Sequence, residues 1–428
     1  MISDTLDKVD HKGVLDESTI TETWRKAQEE ETVSQPAPNE RPPLSAIINL
    51  NDFEEAFAKT GSAKSNAYIA GGSNDHITLE ANKSHWSKLW FQPRVMVDVS
   101  RSNTQTTLLH NPVTMPVYIN PMGIAKTAGP EGETALAAGA AASGIMHMVA
   151  TPTSFPLEDI LASVPASQPF FYQVYVDKQR HKTEAVLRRL SQNPQIKAFV
   201  LTADLAVVSK READERLKTP VQLSTYQSSS MSGVDNKGGG VARTTGSFID
   251  PALNWNDIAW ARKHTHLPLF VKGVQSAADA KRAAQVGCQG IVVSNHGGRA
   301  LDNAPPTCLV LLEMRRDCPE VFEQLEVFVD GGIRRGSDVL KAVCLGAKGV
   351  GIGRPFQCAV AYGREGVEHC AGIVLDELET AMKLCGVKDL EEVRGDMRFL
   401  NTSELEMLLP QSRERWAPLP GKRVGAKL

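Results

Sequence analysis

This chain has no charge excess to speak of: 47 basic residues stand against 50 acidic ones, for a formal net charge of −3 and a pI near 6.4. That balance gives no electrostatic case for nucleic acid or an anionic membrane surface as a partner. Long hydrophobic runs are missing too. The longest apolar stretches, such as Ala135–Ala142, fall far short of the roughly 20 residues needed to cross a bilayer. Aromatic residues make up only 6% of the chain. The first residues, 1–16, are acidic and polar, unlike a secretory signal. Cysteine is sparse, with seven residues, all at or beyond Cys288 and none in a Cys-x-x-Cys pair. This excludes a disulfide framework and a zinc site, so no metal is expected, and the cysteines read as buried or free thiols in a reducing compartment.

The 428 residues, 42% hydrophobic and 23% charged, have the composition of a globular protein. Residues 1–43 are charged, poor in aromatics and end in a proline-containing stretch (Gln35-Pro36-Ala37-Pro38, then Pro42-Pro43), which reads as an extension or linker. A domain is expected over residues 44–410, opening with a helical segment, and a tail over 411–428. Within the domain, eight strand-length apolar runs recur: Val117–Met122, Ile145–Ala150, Phe170–Val176, Lys197–Asp204, Pro268–Val274, Gly290–His296, Glu326–Gly332 and Gly349–Pro355. Most are apolar throughout until a polar residue or glycine ends them, as suits parallel strands buried on both faces. Amphipathic stretches such as Gly132–Ala142, Thr183–Leu190, Ala277–Val286 and Ser337–Leu345 lie between them. Eight such alternations predict an α/β fold, a closed (β/α)8 TIM barrel, with a doubly wound open sheet as the competing arrangement. One interval is long: about seventy residues separate the starts of the fourth and fifth runs. Its middle, Ser224–Ser247, is rich in Ser and Gly without a hydrophobic period, and predicts a long flexible loop over the barrel mouth.

Catalytic groups of such barrels gather at the C-terminal ends of the strands. There the sequence places Gln173 and Tyr175 on the third run, and Thr202 and Asp204 on the fourth, followed by Arg211. Lys272 is on the fifth, Ser294-Asn295-His296 with Arg299 on the sixth, Asp330-Gly331-Gly332 on the seventh, and Gly353-Arg354 on the eighth. The last two form a second pattern. Asp330-Gly331-Gly332-Ile333-Arg334-Arg335-Gly336 leaves a strand and enters a helix, and Gly353-Arg354 follows the next strand. Glycines let backbone N–H groups approach an anion, a helix N-terminus favours negative charge, and arginine binds phosphate as a fork. Phosphate alone does not distinguish a flavin nucleotide from a sugar phosphate.

The segments Ser294–Arg299, Asp330–Gly336 and Gly349–Pro355 resemble the signature segments of the FMN-dependent L-2-hydroxy acid dehydrogenases and oxidases. The likeness runs from about Leu44 to Leu408 and takes in Ala67–Gly72, Gln173–Val176 and Arg211–Asp214. It implies FMN as cofactor and oxidation of a small L-2-hydroxy acid to the 2-keto acid, with electrons passed to O2 or to a cytochrome or other carrier. A non-catalytic flavin-binding barrel is the alternative of another class. By the resemblance, His296 is the base, Asp204 stabilises its imidazolium, and Arg299 holds the substrate carboxylate with Tyr68 and Arg211. Tyr175 would bond the substrate oxygen. Whether carbon delivers a carbanion or a hydride stays open. Lys272 would face the flavin N1–O2 edge; Gln173, Thr202 and Ser294 would bind the ring or ribityl chain, and Met122-Gly123 would pass its N5. Asp330, Gly332, Arg334, Gly353 and Arg354 would take the ribityl and phosphate end. A homotetramer is also implied.

The opening Pro42–Leu50 is similar to the start of the flavin domain in the flavocytochrome branch. No His-Pro-Gly-Gly haem segment precedes it, so no cytochrome domain is expected. The lining departs from the family pattern at Asn120, Ala150, Pro152, Leu205-Ala206 and Ala300, which implies a larger or unusual 2-hydroxy acid. The final Ala426-Lys427-Leu428 is close to the Ser-Lys-Leu peroxisomal address, predicting a peroxisomal location and otherwise a cytoplasmic one.

Overall fold

A computed structural model describes residues 40–217 and 240–411. The chain divides into Met1–Pro42 and Pro43–Leu428, and every described strand and helix lies in the second part. The peroxisome-like triplet and most of the 224–247 stretch lie outside the described residues.

Eight parallel strands close into a barrel: β1 (Val117–Ile119), β2 (Met146–Val149), β3 (Phe170–Val174), β4 (Ile196–Thr202), β5 (Leu269–Val274), β6 (Gly290–Val293), β7 (Glu326–Asp330) and β8 (Gly349–Ile352). Each pairs with its neighbour in sequence, and β8 returns to β1 through Val350 opposite Val117. The open-sheet alternative is thereby excluded. Helices cover the outside, among them Gly132–Ser143, Arg180–Leu190, Ala277–Gln285, Gly336–Cys344 and the long Gly363–Leu384. Three more, Leu50–Thr60, Ala63–Ala70 and Ile77–Trp86, form the helical segment that precedes the barrel. Asn49 starts the first of these with a capping box: its side chain accepts from Asp52 N while Asp52 accepts from Asn49 N. None of the described helices is long and apolar enough to cross a membrane.

The period of two along a strand explains where the site comes from. Tyr118, Met146, Met148, Phe171, Ala198, Val200, Phe270, Val292 and Phe328 fill the barrel interior as one buried cluster. Phe171, Phe270 and Phe328 sit with ring centroids 5.2–6.3 Å apart. Burying each such ring contributes about 1.5–3 kcal/mol. Leu108 and Val113, from the hairpin Thr106–Leu108/Asn111–Val113, complete this cluster. Two residues further along six of the eight strands the inward position is no longer apolar. It is Asn120 after β1, Gln173 on β3, Thr202 on β4, Lys272 on β5, Ser294 after β6 and Asp330 on β7. Of these six, all but Ser294 line the cleft at the barrel mouth, and Ser294 lies just beneath, fully buried.

The strands stop earlier than the apolar runs do. β1 ends before Asn120-Pro121, because proline carries no N–H for the ladder. β6 ends at Val293, because His296, Gly297 and Gly298 all have positive φ (60°, 62° and 75°). The 224–247 stretch also differs from its expectation where it is described: Val241–Gly246 is helical. Asp214 organises it, accepting from Val241 N at 3.1 Å and Ala242 N at 3.0 Å. A carboxylate supplied from elsewhere in the chain satisfies the orphan donors of that helix, and no local period announces it. All seven cysteines are buried and free.

Candidate active site

His296 sits on the strained turn after β6, held there from both sides. Its backbone N–H donates to Ser294 Oγ at 3.0 Å. Asn295 and Asn82 exchange two side-chain hydrogen bonds of 2.8 Å, tying the turn to helix Ile77–Trp86. Gly298 has to be glycine: a Cβ there would lie 2.6 Å from Leu79 Cα, at a φ of +75°. A non-glycine residue held at positive φ costs about 1–3 kcal/mol and persists only where its surroundings over-determine it.

The ring of His296 is oriented at both nitrogens. Nδ1 lies 2.9 Å from Asp204 Oδ1, and Nε2 lies 3.2 Å from the Tyr175 hydroxyl. The Asp204 side chain is fully buried. Its position depends on a bulge in β5, where the pairing with β6 shifts between Lys272 and Val274. Gly273 at that bulge has φ +103°, and a Cβ on it would fall 2.5 Å from Asp204 Cβ. Burial would raise the Asp204 carboxyl, but His296 and Lys272 hold it below the ordinary carboxylate value. Burial lowers His296 below 6.5; Asp204 pushes the other way, while Lys272 and Arg211 add to the lowering. The imidazole is therefore neutral at pH 7, with its proton on Nδ1 toward Asp204 and Nε2 free to accept. Burial, with Asp204 next, pushes Tyr175 far above 10, so it stays a hydroxyl.

Beneath this pair lies a second closed network. Lys272 Nζ is 3.1 Å from Asp330 Oδ2 and donates to Ser294 Oγ at 2.7 Å; Ser294 Oγ donates to Asp330 Oδ1 at 2.6 Å. Burial disfavours the ammonium, but Asp330 and Asp204 outweigh it and raise Lys272 above its usual value. Gln173 bridges β2, β3 and β4, accepting from Thr151 N at 3.0 Å and donating to Thr202 Oγ1 at 2.9 Å.

A second part of the cleft lining is made of arginines with few acidic partners. Arg299 donates to Ile69 O and Gly71 O, both at 2.9 Å, and its guanidinium lies 5.3 Å from the Tyr68 ring centroid. Tyr68 donates to Gly123 O at 3.2 Å, and burial raises it above 10. Arg211 donates to Arg299 O at 3.0 Å. Arg354 donates to Gly297 O at 2.8 Å and Ile69 O at 3.3 Å. Arg334 Nη2 comes within 2.6 Å of Glu54 Oε1, but neither that nitrogen nor Nε is aligned for a hydrogen bond. Burial, then Arg211 and Arg354, brings Arg299 down to about 9; burial, then Arg334, brings Arg354 down to about 10. Guanidinium does not relieve this by losing its proton at neutral pH. Four guanidiniums facing one cleft, three of them bonded only to neutral groups among the described residues, form a site for anions.

The structure thus places Tyr68, Met122, Gly123, Gln173, Tyr175, Thr202, Arg211, Lys272, His296, Arg299, Asp330, Gly332, Arg334, Gly353 and Arg354 along one cleft. Asp204 and Ser294 lie directly behind it. Asp330 lines the cleft with its carboxylate held by Lys272 and Ser294. Sequence reading missed Glu54, the carboxylate against Arg334, and Asn82, which anchors the His296 turn. Both come from the helices preceding the barrel, and only the fold brings them near.

Comparisons with known proteins agree with this geometry. A family model described as FMN-dependent dehydrogenase matches residues 58–399. The L-lactate dehydrogenase (cytochrome) of Saccharomyces cerevisiae is 38% identical over 84% of this chain, and the chain spans 62% of that protein's length. A peroxisomal (S)-2-hydroxy-acid oxidase of Oryza sativa subsp. japonica is 38% identical over 81% of this chain and 94% of its own. The flavin-binding domain of baker's yeast flavocytochrome b2 superposes with a TM-score of 0.77 at 37% identity, covering 87% of this chain and 91% of that one.

FMN fits the residues present. Arg354 and the unaligned nitrogens of Arg334 could hold its phosphate. The buried Asn120 Oδ1, which has no hydrogen-bond partner, lines the same cleft. At Gly353 a Cβ would meet nothing closer than 3.7 Å, so that glycine leaves room on the cleft side.

Proposed function

This chain belongs to the FMN-dependent dehydrogenase family, and we propose that it oxidises a small L-2-hydroxy acid to the 2-keto acid. The observation that carries the reading is a neutral, Asp204-oriented imidazole that lines one cleft together with Arg299. Arg299, with Arg211 behind it and Tyr68 beside it, holds the substrate carboxylate and so fixes the Cα–OH unit against His296. His296 Nε2 accepts the proton of that unit, and Asp204 stabilises the imidazolium that results. Tyr175 bonds the substrate oxygen. Lys272 places a positive charge under the cofactor position, Gln173, Thr202 and Ser294 hold the ring and ribityl chain, and Arg334 and Arg354 take the phosphate. Bound FMN supplies the two-electron acceptor.

The electrons pass on to O2, giving hydrogen peroxide, in a homotetramer located in the peroxisome. The oxidase relative from rice, matched over 94% of its length and named peroxisomal, supports the oxidase reading and the location, and Ala426-Lys427-Leu428 supports the location. The yeast relative, named for its cytochrome, supports a second reading in which a protein carrier takes the electrons.

An anaerobic absorbance scan of the purified protein tests the proposal. Adding L-2-hydroxy acids is expected to bleach the flavin bands, and admitting air to restore them within seconds. Slow recovery in air assigns the electrons to a carrier. A colourless protein, or a yellow one that no 2-hydroxy acid bleaches, overturns the reading.

A further inference from the structure

A second cavity, of about 370 Å³, lies behind the catalytic cleft between β4, β5 and the segment 249–258. Its apolar walls include Val176, Leu201, Leu253, Trp255, Val271 and Val274. The carboxylates that reach it are engaged elsewhere. Asp250 and Asp257 both bind Arg180, and Asp279 accepts from Ser276 Oγ at 3.0 Å. A cavity of this size, lined by hydrocarbon and committed polar groups, suits a small apolar ligand rather than a few ordered waters.

Leu205 and Ile249 each line both this cavity and the cleft, as does Thr202. With Ala300 they form a small separate apolar cluster, packed by Tyr175 and Phe248. Two of the three residues shared by the two spaces are therefore aliphatic side chains. One of them directly follows Asp204, the partner of the base. These side chains can change rotamer without breaking a hydrogen bond.

We propose that this cavity receives the hydrocarbon tail of an extended aliphatic L-2-hydroxy acid, with Leu205 and Ile249 parting to admit it. The proposal rests on the hydroxy-acid reading and names its substrate class. The cleft fixes the carboxylate and the Cα–OH unit at Arg299 and His296. A tail leaving Cα beside Leu205 reaches the apolar cavity, whose engaged carboxylates offer nothing to a second charged end. Selectivity should then grow with chain length and should exclude dicarboxylates.

The test is kcat/KM along the series from lactate to 2-hydroxydecanoate, measured on the FMN-loaded enzyme and on Leu253→Trp and Ile258→Phe, which fill the cavity away from the catalytic groups. In the unmodified enzyme kcat/KM is expected to rise up to about fourfold per methylene. The filled variants should lose that rise while keeping lactate turnover. A flat or falling series, or a rise that survives filling, overturns the proposal. If both variants fail to fold, flavin difference spectra on the unmodified enzyme decide instead: Kd must fall from pyruvate to 2-oxodecanoate, and a constant Kd overturns it. Failure of every 2-hydroxy acid, lactate included, to bleach the flavin is the separate failure of the underlying reading.

Discussion

The two walls of the cleft are built on opposite principles. On the His296 side both ring nitrogens, the lysine and the serine beneath have partners within the chain, at 2.6–3.2 Å. On the arginine side three of the four guanidiniums lean on backbone carbonyls or a neutral side chain, and the fourth sits unaligned against one glutamate. The first wall is paired before anything binds, Asp204 Oδ2 excepted; the second is paired only when anions arrive. A base has to be oriented in advance, because reorganising it during the reaction would add to the barrier. A binding site gains instead from charge left under-compensated, because the ligand then relieves a cost the protein already carries.

Substitutions should separate the walls. The largest effect is expected from His296→Gln, which should lower kcat by about 10²–10⁴-fold while leaving FMN content and melting temperature close to the parent. Stopped-flow flavin reduction measures it. A comparable rate without the imidazole would remove His296 from its role.

On the other wall the effect should fall on binding. Arg299→Lys keeps the charge and loses the fork, and should lower kcat/KM roughly 10- to 100-fold, mainly through KM. Arg354→Gln should weaken FMN by a similar factor. Its apoprotein should melt no lower than the parent, because a cation raised in energy by Arg334 has been removed. A destabilised apoprotein would mean that Arg354 is structural and the contrast between the walls is wrong.

The smallest effect is in pH. The reacting form of His296 is the neutral one, and its pKa lies below 6.5. kcat/KM should therefore be level near neutrality and fall about tenfold per unit only below that pKa. Asp204→Asn removes the group that holds the pKa up, so the acid limb should move to lower pH while the plateau drops. An acid limb that moves upward would contradict the assigned charge on Asp204.

Much of this was legible in the sequence, for a physical reason. A parallel strand buried on both faces must be continuously apolar, so eight such runs stood out and the barrel followed. The polar residues ending those runs break that rule, and they include Gln173, Lys272, Ser294 and Asp330. The family resemblance then attached roles to them. What escaped had no local signature. Glu54 and Asn82 lie on amphipathic helices where their side chains look like surface groups, and only docking against the barrel turns them inward. Asp330 is held by Lys272 and Ser294, a pairing that the strand-end pattern did not announce. Spacing along a chain does not say which of two nearby groups a carboxylate will meet.

By itself, the sequence determined the strand alternation, the polar groups that end the strands and line the cleft, and the glycine- and arginine-bearing segments after the last two strands. These depend on side-chain chemistry and on periods of two and 3.6, which are local. The tertiary structure alone decided that the four arginines line one cleft, that Asn82 and Leu79 pack against the His296 turn, and that Leu205 and Ile249 line two cavities at once. Each of these is a meeting of segments far apart in the chain, set by how strands and helices close on one another.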